Sequence, residues 1–129
     1  DITTRASSTL VLRAMSNFPV GRRNIAESAE AIGNLCGSLG NGNQNNDHPA
    51  IRGNVIDILG QVFNDPMGNE VLESQGIDLI LDDVRKDAES NGWHNVIEAC
   101  HEAQTMRRWW GGEQRTIGNQ LHWNVLRAD

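Results

Sequence analysis

The stretch Pro49–Lys86, PAIRGNVIDILGQVFNDPMGNEVLESQGIDLILDDVRK, constrains the fold more tightly than any other part of the chain. Ile51, Val55, Ile56, Ile58, Leu59, Val62 and Phe63 recur at steps of three and four over a span longer than most strands, which predicts a helix over Ile51–Phe63. Pro49 stands near its start, where a missing N–H costs little. Asn64-Asp65-Pro66-Met67-Gly68 is expected to end that helix, because proline cannot continue it and glycine frees a turn. Glu70–Ser74 then reads as one or two further helical turns, closed by Gly76 in the left-handed conformation. Ile77, Leu79, Ile80, Leu81 and Val84 begin another helix, with Asp82, Asp83, Arg85 and Lys86 on its wet side.

Similar wording precedes and follows. Thr3–Phe18 is helix-compatible, with Leu10, Leu12, Ala14, Met15 and Phe18 as its apolar set and Thr3 or Thr4 as cap. Pro19-Val20-Gly21 is a second break, followed by a short helix over Arg22–Ser28 and a longer one over Ala29–Leu39 that carries Ile32, Leu35, Cys36 and Leu39. Gly40–Asp47 is a polar, Asn-rich loop that cannot pack a core. Asp87–Gly92 reads as a polar connector. Trp93–Trp110 is predicted helical, with Val96, Ile97, Cys100, Ala103, Met106 and Trp110 facing inward, and Gly111-Gly112 ends it. Ile117, Leu121, Val125 and Leu126 mark a final amphipathic helix over Thr116–Ala128.

Self-comparison finds the recurrence directly. Asn54-Val55-Ile56-Asp57 returns as Asn95-Val96-Ile97-Glu98, 41 residues later, and Phe18, Ile32 and Leu39 return as Phe63, Ile77 and Val84, 45 residues later. A period in this range belongs to stacked helical repeats, in which one unit cannot bury its apolar face alone. SNFPVGRRNIAESAEAIGNLCGSL and GQVFNDPMGNEVLESQGIDLILDDV resemble armadillo repeats read from the third helix through the first to the second. The resemblance covers roughly residues 5–110, and the first copy departs from it at Ala29-Glu30-Ala31, where the usual glycine is missing. It implies an all-α, right-handed α-solenoid of about two and a half to three repeats, over residues 1–47, 48–90 and 91–129 of a single domain. The chain opens on Asp rather than Met, so a fragment of a longer array is expected. A non-repeat helical bundle is the competing architecture.

Composition narrows the partners. At 129 residues the chain is one domain's worth, and a net charge of −6 disfavours nonspecific nucleic-acid binding and anionic membrane surfaces, and favours basic partners. No apolar run approaches the ~20 residues of a membrane span. Cys36 and Cys100 both fall in apolar helical contexts and read as buried thiols, which leans toward a reducing, cytoplasmic compartment.

In armadillo proteins the third helices line a concave groove, and an Asn near each helix end binds an extended peptide. That position maps to Asn17, Gln61 and Glu102, and the position one turn earlier, often Trp, maps to Arg13, Asp57 and Glu98. The Trp/Asn array of nuclear-import receptors is therefore missing. What remains is a polar stripe of Arg13, Asn17, Gly53, Asp57, Gln61, His94, Glu98 and Glu102, acidic in its later half and complementary to a basic peptide segment. A merely solvated helix face is the plainer reading. Trp109, Trp110 and Trp123 mark a second candidate surface, where a terminal repeat either covers its core or docks into a larger complex. The expected function is a non-catalytic scaffold or adaptor with no cofactor. The alternatives are a structural subunit of a large assembly, and an enzyme or metal binder using His94, Glu98 and His101. Those three share a helix face at i, i+4 and i+7 but lack the zincin pattern and a fourth ligand.

Overall fold

The structure, a computed structural model, describes residues 2–39 and 48–111 of the chain. Seven α-helices occupy them: α1 (Ile2–Ser16), α2 (Pro19–Glu27), α3 (Ala29–Leu39), α4 (Pro49–Val62), α5 (Pro66–Ser74), α6 (Ile77–Asn91) and α7 (His94–Gly111). The all-α expectation holds there. The Asn-rich segment 40–47, the expected helix over 116–128 and Trp123 lie outside the described residues.

The two predicted breaks are helix starts. Pro19 and Pro66 each occupy the first turn of a helix, so α2 and α5 begin three or four residues earlier than Arg22 and Glu70. A proline is tolerated there because the first helical N–H groups have no intrahelical acceptor in any case. Asp65 completes the start of α5, its Oδ1 accepting the Met67 N–H at 2.8 Å. The polar run Asp87–Asn91, expected as a connector, continues α6 instead. Ala88 within it is fully buried, and Gly92, at φ 71°, supplies the left-handed cap that ends the helix. Gly76 takes the left-handed conformation expected of it.

Pro19-Val20-Gly21 and Pro66-Met67-Gly68 correspond, with a spacing of 47 residues (19 to 66, 21 to 68). A Cβ on Gly21 would collide with the Met15 carbonyl, and one on Gly68 with the Val62 carbonyl, also 47 apart. The 45-residue offset therefore fails at the Phe18–Phe63 pair, while its other pairs, Ile32 with Ile77 and Leu39 with Val84, are all buried. Phe63 is fully buried at the end of α4, whereas Phe18 is 65% exposed ahead of Pro19, where the second copy has Asp65. The 41-residue offset does hold: Val55, Ile58, Leu59 and Val62 and their counterparts Val96, Ala99, Cys100 and Ala103 are all buried.

Each helix lies beside the one three places further along the chain: α1 on α4, α4 on α7, α2 on α5 and α3 on α6. At the centre, α4 buries Ile51, Val55, Ile56, Ile58, Leu59 and Val62 on almost every side rather than along one stripe. Each such side chain contributes roughly 1.5–3 kcal/mol of transfer free energy. Several polar side chains buried beside this core bridge its helices. Asn69 donates to the Phe63 carbonyl at 2.8 Å and accepts from Arg107 Nη1 at 3.2 Å, and Arg107 also reaches Glu73 and Asp78, so one cation ties α5, α6 and α7 together. Asp65 likewise links α5 to α2 through Arg23 at 2.8 Å. Arg52 is buried beneath the Trp93 ring and reaches Asp87 at 3.6 Å. None of the described helices is long and apolar enough to cross a membrane.

The apolar sets expected of two helices need correction. Leu10 and Met15 of α1, and Phe18 ahead of α2, are exposed; among the described side chains of α1, Ala6 and Leu12 pack half-buried against the core. Leu79 is 66% exposed, since the buried stripe of α6 runs through Ile77, Leu81, Val84 and Ala88.

Candidate functional site

The row α1–α4–α7 presents one groove. A cavity of about 440 Å³ is lined by Leu10, Arg13, Ala14 and Asn17 from the first helix and the turn after it, by Ile56, Asp57, Gly60 and Gln61 from α4, and by Ala99, Glu102, Ala103 and Met106 from α7. A second, of about 450 Å³, shares Arg13, Asp57, Ala99 and Glu102 with it and extends past Gly53, Asn54, Asn95 and Glu98. The two lie side by side along the row, with these four residues as shared walls, and are together called the channel. Its floor is made of small side chains. Gly60, facing Ala103, and Ala99 let α4 and α7 approach closely, and Asn95 fastens α7 to the start of α4 by donating to the Pro49 carbonyl at 2.9 Å.

Six of the seven groove residues singled out from sequence, Arg13, Asn17, Asp57, Gln61, Glu98 and Glu102, line this channel, and so does Gly53. His94 does not: it is exposed on the first turn of α7 and borders neither cavity. The mapping of Arg13 and Asn17 shifts by one turn. With the 47-residue spacing, Leu10 and Ala14 stand where α4 has Asp57 and Gln61, and Arg13 stands opposite Gly60. Sequence reasoning missed Asn54 and Asn95, although the recurrence of Asn-Val-Ile-Asp as Asn-Val-Ile-Glu carried both.

The electrostatics of the channel are lopsided. Arg13 bridges from α1 to α4, its Nη2 lying 3.3 Å from Asp57 Oδ2 and its Nη1 donating to Asn54 Oδ1 at 3.1 Å. Opposite stand three carboxylates, Asp57, Glu98 and Glu102. Burial pushes the Asp57 carboxyl above its ordinary value, Arg13 pulls it back, and Glu102 and Glu98 push it further up. Gln61 accepts a hydrogen bond from Asn64 at 3.2 Å and fixes the far wall.

Other candidates are placed as follows. Trp109 is 50% exposed near the end of α7; the side chain of Trp110 and all of Trp123 lie outside the described residues. His94, Glu98 and His101 are each exposed, and among the described residues no group of three His, Cys, Asp or Glu side chains is placed to hold a metal ion. Cys36 and Cys100 are buried, and burial pushes both thiols up to about 11, the opposite of what an activated nucleophile requires. The chain matches no protein-family model, and no curated protein or solved structure is significantly similar to it. The armadillo resemblance thus rests on the residues and their helix order alone.

Proposed function

We propose that this chain is a non-catalytic protein-interaction module, an α-solenoid of armadillo-like repeats that holds an extended, basic peptide segment along the α1–α4–α7 groove. One observation carries this reading: Asp57, Glu98 and Glu102, from two helices, meet on the same channel over a floor of small side chains. A channel of that shape admits an extended backbone, and its surplus of negative charge selects basic side chains and suppresses acidic ones. The packing of each helix on the one three places on agrees with stacked three-helix units. A peptide array probed with the protein and with the triple variant Asp57→Asn, Glu98→Gln, Glu102→Gln tests it. Arg- and Lys-bearing peptides are expected to bind, and to weaken about ten-fold or more in the variant. Unchanged binding in the variant, or equal capture of acidic peptides, would sink the groove reading.

A second reading, a structural subunit of a larger assembly, draws on the exposure of Val11, Phe18 and Val20 at the α1–α2 end and of Trp109 at the other. Assembly lost in Phe18→Glu or Trp109→Ala, with the acidic triple variant still incorporated, would favour it over the groove.

A further inference from the structure

We propose that Arg13 is a built-in occupant of the groove's cation position, displaced when an arginine side chain of a bound peptide takes its place. The proposal rests on the groove reading above and names the recognised group as a guanidinium. Arg13 comes from α1, while both groups it touches, Asn54 Oδ1 at 3.1 Å and Asp57 Oδ2 at 3.3 Å, belong to α4. Two acceptors meeting two terminal nitrogens suit a planar fork, where an ammonium offers only a point charge. The groove is therefore already shaped around the group it would receive.

Three features make this contact a competitor rather than a brace. The Arg13 side chain is 48% exposed and that of Asp57 29%, so the pair is screened and its net worth is small. Packing does not demand an arginine, since the corresponding position of α4 is Gly60. Among the described residues Glu98 and Glu102 make no ion pair, so an incoming cation finds carboxylates that Arg13 leaves unneutralised. A released Arg13 swings to solvent on its own flexible stem.

The probe is a fluorophore-labelled hexa-arginine peptide, acetylated and amidated so that its ends carry no charge, titrated by anisotropy at about 0.15 M salt. Arg13→Gln should tighten binding roughly three- to ten-fold, with Arg13→Lys between it and the wild type. Arg108→Gln removes the same charge from an exposed position on α7 outside the groove, and should change affinity by less than about two-fold. Binding by Arg13→Gln alone would be the strongest support. Equal affinity in wild type and Arg13→Gln, weaker binding in Arg13→Gln, or a gain matched by Arg108→Gln would each overturn the competitor role while leaving the groove reading intact. A peptide bound by neither wild type nor Arg13→Gln would overturn both.

Discussion

Asp57 shows how a single side chain sets stability against binding. Its carboxyl sits half-buried among two other carboxylates and is held above its ordinary value, so the folded chain takes up a proton more readily than the unfolded chain. Stability contributed by that group therefore falls as pH rises from the ordinary carboxylate value through the raised one, and its charge opposes folding at neutral pH. Asp57→Asn should leave the melting temperature at pH 7 unchanged or slightly raised, by no more than about 1 kcal/mol equivalent, while weakening a basic peptide. A clear drop in melting temperature would mean that the Arg13 pair braces the fold after all. The cysteines give the same sign at alkaline pH. Both thiols are raised from 9.0 to about 11 by burial, so the unfolded chain ionises first, and stability is lost between pH 9 and 11. The expected loss is of order 2 kcal/mol per thiol, read as an alkaline fall in melting temperature that Cys36→Ala and Cys100→Ala each reduce.

Two kinds of glycine separate at the scale of the helix. Gly68 brings α5 against the end of α4, and a methyl group there would strike the Val62 carbonyl; Gly68→Ala should destabilise the fold by at least about 2 kcal/mol in a denaturant titration. Gly33 faces open space in the middle of α3, and Gly33→Ala should stabilise by about 0.5–1 kcal/mol. Such distinctions explain how much of the fold could be read in advance. Helix interiors were legible because period is a local property, and the spacing of Ile32, Leu35, Cys36 and Leu39 predicts α3 without error. The starts of α2 and α5 were misread because a proline ends one helix and opens the next with equal ease. The end of α6 was missed because a single buried residue, Ala88, anchors an otherwise polar turn. The register of α1 against α4 is set by the Pro-x-Gly pair, whose glycine is demanded by a backbone contact between helices, and not by Phe18 and Phe63, which are alike in residue type but not in burial. For the site, Asp57, Glu98 and Glu102 were legible through the 41-residue recurrence. The places of Leu10 and Met106 on the channel were not, because they depend on how helices distant in sequence lie on one another.

Across the whole molecule, burial is uneven along the row. α4 is enclosed by its neighbours, whereas α1 leaves Leu10 53% and Val11 61% exposed. Helices with few buried contacts open at lower free energy than the core, so amide exchange should be fastest along α1 and slowest along α4. Uniform protection of the two helices would show instead that the row opens as one cooperative unit. That gradient bears on the groove, because α1 brings Arg13 and α4 and α7 bring the carboxylates. When α1 frays, the guanidinium leaves with it and Asp57, Glu98 and Glu102 stay behind on the more stable helices. The surface potential of the channel is thus tied to the thermal state of one helix, and warming below the melting point makes the groove more negative before anything else in the molecule has unfolded.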